Sequence, residues 1–389
     1  MAYTPTTVPR MADIDAAAWD ALTLPHEPFS RHAYLHALEA SGSVGEAQTG
    51  WQPCHLLLLD DRGAPCAAMP LYLKTDSYGE YIFDWSWARA AHDLNLPYYP
   101  KLVGAIPFTP ATGRRILRRP GTPLSAVLPP LLQGARAVQR QTGASGIHLL
   151  FCQPEEADAL AQAGFISRRS FQFHWQRAPG WHTFEDFLAD MRASCRKQVR
   201  KERARAQGHG LTLSMRPIQD VSEKDVDAMY LFYRQTVWEK GAIAYLSRAF
   251  FAQLRAQGDD RVLLAMAHDG DAAVAGALFF RAGAHLYGRY WGARDHYDAL
   301  HFELCYYLPI QWCLQHGLHR FEAGAQGEHK LKRGFLPSAC HSAHHLAHEG
   351  LHRAVAHFCA QEAEALGQHM GALMPHGPFH RHSASTGRP

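Results

Sequence analysis

The chain has 389 residues, of which 47% are hydrophobic and 19% charged, a composition that suits a well-packed globular protein and excludes a disordered one. Its formal net charge of +3 is too small to mark a general nucleic-acid binder, and no apolar run approaches the ~18 residues that a membrane-spanning helix needs. At this length two lobes are expected rather than one growing core.

In chain order, residues 31–40 read as a helix and 54–59 as a strand. Asp60-Asp61-Arg62-Gly63 turns that strand into another over 65–74, a hairpin signal. An aromatic-rich stretch follows over 81–99. A helix over 124–142 is stopped by Gly143, and a buried strand over 147–152 precedes a short helix over 155–163, then Gly164-Phe165 and a strand over 170–176. The second half runs through the same elements. Strands over 261–268 and 273–281 flank the turn Asp269-Gly270-Asp271, with a further strand over 284–291. A helix over 302–315 ends at Gly317, and a strand over 320–324 leads through a short polar helix to Gly334-Phe335 and a last strand over 340–348. The repeated order implies a duplicated domain of near 150 residues rather than a solenoid, whose repeats run ~20–50 residues. The expected lobes are residues 1–180 and 181–375, with 376–389 a disordered tail.

Between the halves lies a basic helical segment, residues 191–203. Arg192, Arg196, Arg200 and Arg203 follow a three/four spacing there, a cationic stripe suited to phosphate groups or to a solvated helix face. The eight cysteines form no C-x-x-C pair, which predicts reduced structural thiols. Residues 1–10 hold no apolar signal core, so the chain is expected in the cytoplasm. Of 26 histidines many fall late, and His341, His345, His348 and His352 have a spacing that would place them on one helical face. The spacing fits no defined zinc motif, and no metal is expected.

The chemistry concentrates in the second half. Glu322 lies on a predicted strand, Glu328-His329-Lys330 opens the next short helix, and Glu303 shares a helical face with Tyr307 or Tyr306. Transfer of an acyl group to an amine needs a base, an oxyanion stabiliser and an acid for the leaving group. Glu322 or Glu303 fits the base, His329 belongs to the same string, and Tyr306 or Tyr307 fits the acid. Gln326, Gly327, Lys330 and Arg333 make a Gly-flanked basic turn suited to a phosphate-bearing donor.

The repeated order of hairpin, strand, helix, strand, short helix, Gly-Phe and strand resembles the GNAT acyltransferase fold. Two such units joined by a basic helix resemble the Fem-type peptidyltransferases. A closer resemblance, over roughly residues 29–356, is to GNAT-like bacterial proteins labelled peptidoglycan biosynthesis or recognition. It is carried by Ser77-Tyr78-Gly79-Glu80-Tyr81, Tyr98-Tyr99-Pro100-Lys101, Gly288-Arg289-Tyr290-Trp291-Gly292, His301-Phe302-Glu303-Leu304-Cys305-Tyr306-Tyr307 and the string from Phe321 to Lys330. The resemblance implies an α/β (α+β) fold of two tandem GNAT-like domains, mixed sheets flanked by helices. It implies an N-acyltransferase using acetyl-CoA or another acyl-CoA, or alternatively a Fem-type enzyme using aminoacyl-tRNA, with a small-molecule or peptide amine as acceptor; a non-catalytic ligand-binding pair is the third reading. Arg289 and Gly292 match part of the R-x-x-G-x-G/A loop with which GNAT enzymes hold the CoA pyrophosphate, but the second small residue is missing. In the Fem arrangement the first lobe binds the acceptor, which casts Tyr78, Glu80, Asp84, Trp85, Tyr99 and Lys101 as its recognition wall. The oligomeric state is not legible.

Overall fold

The structure, a computed structural model, describes residues 3–45, 49–324 and 327–380. Two compact units emerge: residues 1–171 with 339–368, and residues 172–338 with 369–389. The expected boundary at 180/181 assigned 339–368 to the second lobe, but these residues pack within the first.

In the first unit, β1 (Thr4–Val8), β3 (His55–Leu59), β4 (Pro65–Met69) and β7 (Leu117–Arg118) form an antiparallel sheet in the order β1-β3-β4-β7. The expected strand over 65–74 is cut at Pro70, which has no N–H for a ladder, so β5 (Leu71–Lys74) joins a different sheet. There β2 (Trp51–Pro53), β5, β6 (Lys101–Gly104), β8 (Gly146–Cys152) and part of β15 (Leu336–Leu346) are successive neighbours, with β6 and β8 parallel. Helices α1 (Ala16–Asp20), α2 (His32–Ala40), α3 (Trp85–Asp93), α4 (Leu124–Thr142) and α5 (Pro154–Gln162) complete it. Val127, Leu128, Leu131, Leu132 and Val138 of α4 cover Leu102, Ile147 and Leu149 of the sheet. Turn-spaced apolar residues on the helix meeting an all-buried parallel strand make the core.

β9 (Ile166–Gln176) leaves the first unit and ends in the second. The second unit holds α6 (Phe184–Ala189), α7 (Ala193–Gln207), β10 (Thr212–Pro217), α8 (Glu223–Glu239), α9 (Arg248–Ala256), β11 (Val262–Asp269), β12 (Ala272–Ala282) and β13 (His285–Ala293). β10 to β13 form an antiparallel meander, and β13 pairs in parallel with β14 (Arg320–Glu322), which pairs with the end of β9. The helix expected over 302–315 is three pieces: α10 (Leu300–Phe302), a π-turn (Glu303–Tyr307) and α11 (Leu308–Gln315). Pro309 explains the break, because it has no N–H to offer the Cys305 carbonyl one turn back. The polar helix after β14 is a 3₁₀ segment, Glu328–Arg333.

The expected echo is present in detail. Gly164 and Gly334 both take left-handed φ, +87° and +98°, and Phe165 and Phe335 after them are both buried. The late histidines do not share a helical face: His341 and His345 lie on β15, whose residues His341–Leu346 pair with β8. The long helix α12 (Glu349–Leu373) begins only after His348. Among the described residues no group of three His, Cys, Asp or Glu is placed to hold a metal. Residues 376–380, expected in a disordered tail, are anchored: the Arg192 N–H donates to the Pro378 carbonyl at 2.8 Å and Phe379 packs 5.1 Å from Trp181. Residues 381–389 lie outside the described residues, as does Gln326. No described helix is long and apolar enough to cross a membrane.

Candidate functional site

In the first unit the expected recognition wall divides into a buried and an exposed half. Lys101 has no exposed surface, and its ammonium donates to Glu80 Oε2 at 2.9 Å, Asp84 Oδ2 at 2.5 Å and Ser77 Oγ at 2.8 Å. Tyr98 also donates to Asp84, and Ser77 bonds Tyr99 at 2.8 Å. Burial drives Glu80 up to about 7 despite Lys101, whereas the lysine and the hydroxyl donors hold Asp84 below the usual carboxylate range against its own burial. Tyr78 and Trp85 remain 48% and 43% exposed, with ring centroids 5.1 Å apart.

In the second unit the residues expected to act together are sorted onto different faces. Glu303 is buried in a two-pronged ion pair with Arg203, 3.1 and 2.9 Å. Tyr307 donates to Glu202, which also takes Arg333 at 3.0 and 2.6 Å and Gln198 at 2.7 Å. Glu322 is buried beside Arg320, 3.1 Å away, with His174 at 3.8 Å. Burial raises both Glu303 and Glu322, opposed by their arginines.

Tyr306 points elsewhere. Its hydroxyl lies 2.9 Å from His329 Nε2, and His301 packs 5.3 Å from its ring. Gly327, at φ +110°, makes room: a Cβ there would run into the His329 imidazole. Burial, then Arg333 and Lys330, push His329 below the ordinary histidine value, and burial with His329 and Lys240 pushes His301 down to about 3. Lys330 is buried, donates to the Gly324 carbonyl at 2.8 Å and is pushed down to about 7, by burial reinforced by Arg289 and Lys240. Burial raises the Tyr306 hydroxyl and the Cys305 thiol, so both stay protonated at neutral pH.

Three hollows meet this cluster. His329 lines a cleft of about 930 Å³ with Ser194, Cys195, Glu202, Lys332 and His376. Tyr306 lines a recess of about 80 Å³ with Gly288, Arg289, His301, Cys305 and Ala323, and this recess lies at the end of the β13–β14 ladder. A third cleft of about 530 Å³ is walled by Glu239, Trp291, Asp295, Asp298, His301 and Phe302. Gly292 has a packing reason to be glycine, since a Cβ there would run into the Phe232 carbonyl of α8.

The arginines of the stripe expected on α7 are each engaged within the protein. Arg192 donates to the Gly377 carbonyl, Arg196 to that of Ala189, Arg203 to Glu303, and only Arg200 makes an exposed pair, with Glu185. Lys197, Lys201 and Arg205 also face solvent, one residue round the helix, with Arg205 paired to Asp298 at 3.2 Å. Of the groups now seen at the cluster, His301, Cys305, Glu202 and Lys240 were not singled out from sequence. His301 and Cys305 sit inside the same string as Tyr306, which was their available signal.

A family model, FemAB-like, described as peptidoglycan biosynthesis/recognition, matches residues 10–381. Among solved structures the chain is similar to FemX, with a TM-score of 0.54 at 11% identity, covering 92% of this chain and 100% of that one. It is also similar to the C-terminal domain of a protein from Agrobacterium fabrum assigned as a lysylphosphatidylglycerol synthetase, with a TM-score of 0.52 at 10% identity, covering 92% and 97%. At such identities the likeness shows the fold, mixed α/β in two tandem GNAT-like units. No curated protein matches the sequence.

Proposed function

This chain belongs to the FemAB-like family of peptidoglycan biosynthesis and recognition, and from that premise we propose that it transfers an acyl or aminoacyl group to an amine, with His329 and Tyr306 moving the proton. The observation that carries the reading is their 2.9 Å hydrogen bond, because one partner lines the large cleft and the other the small recess. His329, kept neutral, takes the proton from the attacking amine as the N–C bond forms. Tyr306, kept protonated, gives its own to the departing oxygen or sulfur as the C–O or C–S bond breaks. The proton on His329 then returns to Tyr306 along their bond, so the pair ends as it began. The recess of about 80 Å³ has room for only ~2–3 waters, which fits a small acyl or aminoacyl group.

Of the two donor classes, one observation favours the aminoacyl ester of a tRNA over acyl-CoA. The Arg289-to-Gly292 segment, which by resemblance would cradle a pyrophosphate, lies on β13 itself with Gly292 packed against α8, so it forms no phosphate-binding loop. Lys197 and Lys201 on the outer face of α7 suit a phosphate backbone. The reading is tested by thermal stabilisation of the full chain with CoA, acetyl-CoA and charged tRNA. Charged tRNA at 100 times its Kd is expected to add ~2.7 kcal/mol and the CoA species nothing. A shift with acetyl-CoA and none with tRNA reverses the donor, and unimpaired transfer by both His329→Gln and Tyr306→Phe removes the mechanism.

A further inference from the structure

The 930 Å³ cleft that His329 lines takes one wall from much later in the chain. Leu373, which ends α12, and His376, in the 3₁₀ turn Met374–His376, line it together with Cys195. Met374, Pro375 and His376 are exposed, and among the described residues their side chains make no hydrogen bond or ion pair. Gly377 and Pro378 after them are buried.

The hold on this segment is concentrated at Arg192 and Phe379. The Arg192 guanidinium donates to the carbonyls of Gly377 and, at 3.2 Å, His376, while the Arg192 N–H donates to that of Pro378 at 2.8 Å. Phe379 bridges to Met191 and packs 5.1 Å from Trp181 and 6.1 Å from Phe187. It also closes on Gly334, which ends the 3₁₀ helix carrying His329: a Cβ there would lie 3.4 Å from the Phe379 ring. Beyond it the His380 N–H reaches the Asp190 carbonyl at 3.3 Å. Residues 374–376 therefore run along the cleft from the end of α12 to a clamp, with no side-chain bond of their own between. A segment with so few buried contacts opens locally at a fraction of the cost of unfolding its unit.

We propose that residues 374–380 form a releasable strap over this cleft, clamped by Arg192 and Phe379, so that small molecules reach the cleft past the closed strap and bulky ones only when it lifts. The proposal rests on the transfer reading for calling His329 the base, and it adds to that reading the gate that a bulky donor must pass.

Cys195 reports on the gate, because its half-buried thiol lines the same cleft and lies outside the strap. The full chain is labelled with N-ethylmaleimide or with a neutral polyethylene-glycol maleimide, and modification of Cys195 is followed by peptide mass spectrometry. In the wild type the bulky reagent should lag far behind the small one. Arg192→Ala and Phe379→Ala should each raise the bulky-to-small rate ratio by about tenfold, the gain in open population when one strong anchor is lost. The ratio is the quantity to read, because Arg192 lies three residues from the thiol and its removal changes the reactivity toward both reagents alike. Hydrogen exchange on the wild type needs no variant: the amides of residues 374–380 should exchange ahead of those of α7 and of the 3₁₀ helix Glu328–Arg333. A raised ratio in either variant that keeps its native near-ultraviolet circular dichroism supports the strap. Equal rates for the two reagents in the wild type, an unchanged ratio in the folded variants, or exchange of 374–380 in step with α7 would each overturn it. Neither measurement uses a donor, so a gated chain that transfers nothing sinks the transfer reading and leaves the strap standing.

Discussion

An imidazole takes a proton from an amine only if it arrives uncharged, and three features deliver His329 in that state. Its ring is partly withdrawn from water, Arg333 and Lys330 repel a second positive charge, and the Tyr306 oxygen 2.9 Å from Nε2 can accept that nitrogen's hydrogen, which leaves Nδ1 free as the base. The sign of the pH dependence follows. Protonation removes the base, so kcat/KM should rise with pH, and because the histidine is held below its ordinary 6.5 the acid limb should fall below that value. His329→Gln is expected to cut kcat by about 10²–10⁴ with substrate affinity kept, as general-base losses usually do. Glu322→Gln is expected to leave kcat near wild type and to lower stability instead, because Glu322 is committed to Arg320. Pre-steady-state transfer by the two variants, compared side by side, decides between them; a large loss in Glu322→Gln with a silent His329→Gln would return the base role to the carboxylate. The string from Glu322 to Arg333 stood out in the sequence as a candidate centre by its residue types. Which of its side chains faces a hollow was not legible, because β14 has three residues and the 3₁₀ helix six, too few for periodicity to fix a face.

At the scale of elements, the site is held by the union of α7 with the π-turn and the 3₁₀ helix. Glu202 is its hub, taking Arg333 in two prongs, Tyr307 and Gln198, while the Arg333 guanidinium lies 3.5 Å over the Phe302 ring. Arg333 also donates to the His329 carbonyl at 2.6 Å, so the hub reaches the base through one residue. Removing one member of a buried ion pair strands the other, which costs more than the pair contributes. Glu202→Ala should therefore lower the unfolding free energy by about 3–5 kcal/mol in urea titration, and Glu202→Ala with Arg333→Leu should recover part of it. A loss below about 1 kcal/mol in the single variant would mean the hub is solvated. Sequence reading gave α7 its place and its positive charge but assigned the arginines to the surface. The three/four spacing is common to a solvated face and a partnered one, and only the acids on neighbouring elements distinguish them. Pro309 was a readable mark of the π-turn, and that turn sends Tyr307 toward Glu202 and Tyr306 toward His329.

Across the whole molecule, the duplicated element order was readable from glycines and apolar runs, because Gly-Phe after a short helix needs a left-handed residue and a buried ring in both copies. The return of residues 339–368 to the first unit was not, since nothing local in a strand records which sheet it will join. That return also brings His344 to His148, Nδ1 to Nδ1 at 2.9 Å, with His344 Nε2 on Ser342 and the Trp87 ring edge-on at 4.8 Å. Two facing ring nitrogens share one hydrogen only while at least one of the rings is neutral. Burial, with Lys101, His345 and Arg168 repelling charge against the pull of Asp84, pushes His148 down to about 3. Unfolded, the same ring titrates near 6.5, so between these values the unfolded chain binds the extra proton and folding loses ground as pH falls. The slope for one group is ~1.4 kcal/mol per pH unit, or about 3 kcal/mol between 6.5 and about pH 4. Glu80 and Glu156, both driven up to about 7 by burial, act in the opposite sense, their contribution being complete below 4.5 and lost as pH rises through 7. They are common to wild type and His148→Gln, so they cancel in the difference. The stability gap between the two proteins, measured by urea unfolding, should narrow by about 3 kcal/mol from about pH 7 to about pH 4. A gap that stays constant over that interval would mean that the histidine pair is already open to water in the native state.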